Sequence, residues 1–416
     1  MKKSIIDQLE ASRKAKRSIS TLSIAQKKKV LTDLAEELIQ QTESILAENS
    51  KDLALMDPSD AKFDRLKLTK ERIAGLAEST LAISNLPDPT GQTLSKNQLS
   101  NGLIVEKKTV ALGVIAVIYE ARPNVTIDVA ALGIQSGNVS LLRGGSDAWH
   151  SNSCLVTIIQ NVLKNNQLDP NIVQLLPTDR ELVHELLEAT AYVDIIIPRG
   201  SQSLIDFVRE HSKVPVIETG AGVCHTYVDQ SADIVMAANI VANAKISRPS
   251  VCNALDTILL EKSTVENFVK EVIPYFEKAS VQVLADDKSY PVFKQAGYPY
   301  LQAAQEADFG REFLDFICSV KVVDDLNQAL DHIANYSSKH SECIVSSDSE
   351  NIATFMQAVD AAAVYANAST RFTDGGEFGL GAEIGISTQK LHARGPFALE
   401  KLVCEKWFVT GNGQIR

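Results

Sequence analysis

No Cys-x-x-Cys pair occurs among the six cysteines, at 154, 224, 252, 318, 343 and 404, and none has a histidine at short ligand spacing. That argues against metal sites and against a disulfide framework. No run approaches the ~18 consecutive apolar residues of a membrane span. The longest, Val110 to Tyr119, reads as a buried strand with its approach. Positive charge is in deficit: 41 Lys and Arg against 52 Asp and Glu leave a formal net charge of -11. Nucleic acid and anionic lipid are therefore poor candidates for the main partner. Tandem repeats and low-complexity tracts are absent, and so is a Gly-x-Gly-x-x-Gly after a strand, the usual dinucleotide fingerprint. The start, Met1, Lys2, Lys3 and then Ser-Ile-Ile-Asp, has a signal peptide's basic residues but no apolar core behind them, so a cytoplasmic protein is expected.

What is present is the material of a globular α/β protein. A chain of 416 residues is too long for one ordinary core, so two or three domains are expected. Residues 4–56 read as amphipathic helix, with Leu31, Leu34, Leu38, Ile45 and Leu46 at three, four and seven. The cations Lys27, Lys28 and Lys29 read as its solvated face. Asn101 and Gly102 mark a hairpin turn, and Lys401 to Thr410 reads as an edge strand. From Gly113 onward, short apolar runs (Val114–Tyr119, Val139–Leu142, Val173–Leu176, Val193–Ile197, Val214–Ile217) alternate with helical segments, and Ser146 can cap one of these helices. Continuous apolar strands imply parallel sheet buried on both faces. The alternation restarts after Gly220 and runs to about Ala366, which places a domain boundary near Gly220.

The segment Asn243-Ala-Lys245-Ile-Ser-Arg248-Pro249-Ser250-Val-Cys252-Asn253 carries the most chemistry. It sets a thiol and two cations in a loop between a helical and an apolar run. Cationic neighbours lower a thiol's pKa, and the thiolate is the attacking form. A buried structural cysteine is the competing reading. Elsewhere, Ile195 to Ser201 is a strand entering a Gly-Ser turn and a helix, whose first N–H groups could hold a phosphate or simply turn the chain. Asn124 could cap the helix that follows it. Cys224 and His225 are strand neighbours that point to opposite faces, read as core and rim with no dyad between them. Ser369, Thr370 and Arg371 precede a glycine-rich loop that could hold a carboxylate or act as a hinge.

Five phrases match one family in order and type. They are the Cys252 segment, Gly113 to Thr126 (GVIAVIYEARPNVT), Ser136 to Ser146 (SGNVSLLRGGS), Ile196 to Ser201 (IIPRGS), and Asn367 to Ser387. Together they resemble the aldehyde dehydrogenase superfamily. The resemblance implies two parallel-sheet α/β domains, one for cofactor and one for catalysis, plus a small β oligomerisation arm. The cofactor domain would take 1–98 and 111–219, the catalytic domain 220–380, and the arm and tail 99–110 and 400–416. It implies Cys252 as nucleophile, Asn124 as oxyanion donor, and Glu218 at the place where hydrolytic members keep a general base. Arg199, Gly200, Ser201 and Glu218 would face the dinucleotide. Arg143, with Gly144, stands where NAD-using members commonly carry lysine, and a guanidinium suits a 2′-phosphate, so NADPH is expected. Lys245 and Arg248 are expected to receive a leaving phosphate, and Ser369, Thr370 and Arg371 to hold an amino-acid substrate. The expected reaction is reduction of L-glutamate 5-phosphate to glutamate 5-semialdehyde, in a homo-oligomer supplied by a separate glutamate 5-kinase. A hydrolytic aldehyde dehydrogenase using Glu218, and a non-catalytic member whose loops are spoiled by Ser201 and Ser250, are the alternatives; Gln202 and Ala221 also depart from the family's pattern.

Overall fold

A computed structural model describes residues 4–58, 60 and 63–416. The basic start at Met1, Lys2 and Lys3 lies outside these residues. The chain forms two compact units. The first is the chain up to Thr219 with Gly379–Gly385 and Pro396–Arg416; the second is Gly220–Phe378 with Ile386–Gly395.

In the first unit the expected amphipathic stretch at 4–56 is three helices, Ile6–Ser20, Ile24–Gln40 and Thr42–Leu53. The first break has a local cause. Ser23 and Gln26 form a reciprocal capping box, which starts a new helix. That helix buries Val30, Leu31, Leu34, Ala35 and Leu38 along one stripe. Lys27 corrects the expectation of a solvated face: it is 2% exposed, with Nζ 2.6 Å from Asp88 Oδ2. A buried ammonium needs such a partner.

A four-stranded parallel sheet follows, ordered Val173–Leu175, Val139–Arg143, Val114–Tyr119, Ile195–Arg199. Its strands are buried nearly throughout, as strands covered on both faces should be. Val214–Ile217 is not a further strand. It makes one bridge, Ile196 to Val216, because Pro215 has no N–H to extend a ladder. Ser146 does not cap the helix Trp149–Asn165. Asp52 does, accepting from His150 N at 3.0 Å and Ser151 N at 2.8 Å. A three-stranded antiparallel sheet has Ile104–Ala111 between Thr93–Gln98 and Val403–Thr410. Gly102 turns the hairpin with a φ of 87°. The tail is tied in by Asn138, whose Nδ2 donates to Leu402 O at 2.8 Å.

The second unit is a seven-stranded parallel sheet. Its order is Leu301–Ala303, Gln282–Ala285, Ile317–Val323, Leu255–Glu261, Cys224–Val228, Ser341–Val345, Ala363–Ala366. One face packs Phe268, Phe276 and Phe293; the other packs Tyr227, Leu259 and Phe355. Alternation along Tyr227–Val228 and Leu259–Leu260 sends neighbouring side chains into different cores. Among the described residues no helix is long and apolar enough to cross a membrane.

Candidate active site

Helix Ile234–Ile246 delivers the chain into residues 247–254, and strand Leu255–Glu261 carries it into the sheet. Cys252 is therefore off the amino end of a central strand, and it is half-buried. Its backbone is held from two sides. Cys224 Sγ donates to Cys252 O at 3.3 Å, and a Cβ added at Gly222 would stand 1.6 Å from that same oxygen. On the other side Arg371 donates through Nη1 to Asn253 Oδ1 and through Nε to Ser247 Oγ at 3.2 Å. Asn253 Nδ2 in turn donates to Thr373 O at 2.9 Å.

Several expected ligands are spent on this scaffold. Thr370 is fully buried and donates to Asn253 O at 2.8 Å, so it holds the loop and presents no face to a substrate. Ser369, also buried, accepts from Arg371 N and caps the turn Thr370–Phe372. Lys245 is fully buried, donating to Asp315 O at 3.1 Å with Asp256 Oδ1 at 3.7 Å. It cannot receive a leaving phosphate. Cys224 and His225 are both buried, so neither forms a rim; His225 Nδ1 sits 3.0 Å from Glu342 Oε2.

Two cations remain beside the thiol. Arg248 is exposed, and Arg371 is half-buried. Burial holds the Arg371 pKa below its ordinary value and Arg248 pushes the same way, while Asp374, Cys252 and Glu377 oppose them. Two guanidinium groups that repel each other this closely favour an anion between or upon them.

In the first unit, expected cofactor residues gather at the carboxyl ends of the parallel strands, where open α/β sheets bind ligands. Arg143 Nη2 donates to Thr178 O at 2.7 Å, while its Nε is buried without a hydrogen-bond partner. Burial and the neighbouring Arg180 both lower the Arg143 pKa, with Asp147 opposing. Gly144 is small for an internal reason: a Cβ would meet Asn152 Nδ2 at 2.3 Å. Arg199 ends its strand with a buried, unpartnered Nε. The helix Gln202–His211 already has an anion at its start, because Glu120 accepts from Ser201 N at 3.1 Å and Ser201 Oγ at 3.0 Å. A Cβ at Gly200 would collide with that carboxylate. Glu218 lies 3.5 Å from Arg209 Nη1. Asn124 is the second residue of helix Pro123–Gln135 and does not cap it. Its exposed amide donates to Asp128 Oδ2 at 3.2 Å. Burial pushes Asp128 up to about 6, against the Asn124 hydrogen bond and Arg199.

Residues 2–306 match the model of the aldehyde dehydrogenase family. The chain belongs to that family. Among its relatives are a gamma-glutamyl phosphate reductase of Chlorobaculum parvum, 51% identical over 99% of this chain and 98% of that one, and one of Legionella pneumophila, 49% identical over the whole of both. The crystal structure of gamma-glutamyl phosphate reductase from Thermotoga maritima superposes with a TM-score of 0.94 at 38% identity, covering 99% of each chain. An acetylating aldehyde dehydrogenase from Geobacillus thermoglucosidasius, 14% identical with a TM-score of 0.72 over 99% of this chain and 97% of that one, shares the fold. Members of the aldehyde dehydrogenase family use a nicotinamide cofactor. Four residues of this member escape a sequence reading: Asp128 behind Asn124, Arg180 beside Arg143, Asp256 against Lys245, and Glu312, whose Oε1 accepts from Gly222 N at 2.9 Å. Only Asp128, four residues after Asn124 on a helix, had a local signal.

Proposed function

We propose that this chain reduces L-glutamate 5-phosphate to L-glutamate 5-semialdehyde and phosphate with NADPH, in proline biosynthesis. The observation that carries it is a half-buried thiol flanked by Arg248 and Arg371, in a chain about half identical over its full length to gamma-glutamyl phosphate reductases.

The chemistry follows from those groups. The Cys252 thiolate attacks the acyl carbon, a C–S bond forms, and the C–O bond to phosphate breaks with its electron pair leaving on the phosphate. Arg248 is assigned to that dianion, and Arg371 to the substrate carboxylate. The Cys252 N–H is assigned to the developing oxyanion, where removing one such donor typically costs about 10²–10³ in rate; the role of oxyanion donor for the Asn124 amide rests on the family resemblance alone. Asp128 orients that amide. Glu218, expected as a base in hydrolytic members, is left without that role, because activated water would destroy the thioester.

The first unit fits a dinucleotide. Arg143 has a buried N–H aimed at no acceptor and Arg180 beside it, which suits a 2′-phosphate. Arg199, Gly200 and Ser201 would meet its remaining phosphates, with Glu120 swinging away from Ser201. When bound, the dinucleotide supplies the hydride that reduces the thioester. We assign the first unit to the cofactor and the second to the nucleophile. The exposed Trp407 and Val409 on the outer strand of the antiparallel sheet support assembly of identical copies through that sheet. A cytoplasmic setting and supply by a separate glutamate 5-kinase complete the proposal.

The test is oxidation of glutamate 5-semialdehyde with NADP⁺. Reduction of the cofactor should require phosphate. Acid formation at the same rate without phosphate would refute the reductase.

A further inference from the structure

Charge is buried against the nucleophile loop, and the proposed chemistry does not use it. Lys245 precedes the loop and Asp256 follows it; they are 0% and 2% exposed, with Nζ 3.7 Å from Oδ1. Asp256 Oδ1 also accepts from Phe313 N at 3.1 Å, and Oδ2 from Cys224 N at 3.5 Å. Lys245 donates to Asp315 O at 3.1 Å, and Glu312 accepts from Gly222 N at 2.9 Å. The strap of residues 312–315 is thus hung on this cluster, and Leu314 within it has a strained φ of 54°. Cys224 and Gly222, the residues pinned from one side, are the two that press on the Cys252 carbonyl from the other.

A buried ion pair is a poor source of stability, since an apolar pair of equal volume usually serves as well. Its retention here calls for a task that needs direction, which charge and hydrogen bonds supply and apolar contact does not. We propose that Lys245 and Asp256 are positioning residues that set the Cys252 backbone, and with it the sulfur, through Cys224, Gly222 and the 312–315 strap. They touch no substrate. This rests on Cys252 being the nucleophile, and it gives Lys245 a different task from phosphate binding.

The groups facing Asp256 are Lys245 from the helix, Glu312 from the strap, and the thiols of Cys224 and Cys318 from the adjoining strands; His340 faces Glu312. Burial pushes Asp256 up to about 6 even with Lys245 opposing. As pH falls through that value the carboxylate is protonated and the clamp discharges. Reactivity of Cys252 should then fall faster than loss of thiolate alone dictates.

The test is the rate of Cys252 alkylation by iodoacetamide across pH, read by peptide mass mapping on the full chain. In the wild type the log rate should bend from a slope of about one to about two below about pH 6. Asp256→Asn should remove the bend, Lys245→Met should move it to higher pH, and Glu312→Gln should keep it but move it to lower pH. The double variant K245M/D256N keeps the core neutral; it should melt as the wild type does, yet lose about tenfold in kcat with KM within about twofold. A double variant with full kcat, or a bend that survives Asp256→Asn or vanishes with Glu312→Gln, overturns the proposal. Alkylation needs no turnover, so a Cys252→Ser variant that still turned over would refute the nucleophile separately.

Discussion

At Arg143, as at Arg199, a buried N–H points at no acceptor. If a 2′-phosphate is that acceptor, Arg143→Ala should raise KM for NADPH about ten- to hundredfold and leave that for NADH within about twofold. Equal losses for both cofactors would contradict the assignment. Glu120 makes the opposite prediction. Its carboxylate lies against Ser201, where the dinucleotide phosphates are proposed to bind. Glu120→Gln removes like-charge repulsion and should tighten NADPH binding several-fold in a fluorescence titration; weaker binding would mean that Glu120 itself holds the cofactor. Legibility at this scale followed sequence distance. Cys252 and its arginine stood out because loop, thiol and cation are local. Lys245 was misread because its burial is set by Asp256 and Asp315, 11 and 70 positions further on.

Elements were legible where amphipathic spacing was strong. In the second unit, Val265–Lys278 and Leu326–Tyr336 are helices of the alternation that restarts after Gly220, with Phe268, Val269, Val272 and Phe276 buried along the former. Helix Tyr290–Gln295 and strand Leu301–Ala303 left no signal, since they are short and lie at or near the sheet's exposed edge. The cap at Trp149–Asn165 was hidden for another reason: Asp52 reaches it from a different helix. The segment entering strand Cys224–Val228 carries the element-scale prediction. Gly222→Ala puts a methyl group 1.6 Å from the Cys252 carbonyl oxygen, so the nucleophile loop must move. Overpacking of this kind costs about 1–3 kcal/mol, and thermal unfolding should show it. Cys252 alkylation should slow by more than tenfold while the exposed Cys404 reacts unchanged. Unaltered Cys252 reactivity would show that the loop is not held by this contact.

Across the whole molecule, alternating apolar runs and helical segments made the α/β class readable, because parallel strands buried on both faces need apolar residues at every position. The interleaving of the chain was not readable. Gly379–Gly385 and Pro396–Arg416 return to the first unit through contacts such as Asn138 with Leu402, which no local pattern encodes. The account requires the chain to hold an acyl group on one sulfur until phosphate takes it away in the oxidative direction. Rapid-quench analysis of the wild type with glutamate 5-semialdehyde and NADP⁺, without phosphate, tests this directly. The account predicts a burst of about one NADPH per subunit, an acyl group mapped to Cys252, and release only on adding phosphate. Steady turnover without phosphate, or an acyl group on any other residue, would contradict it.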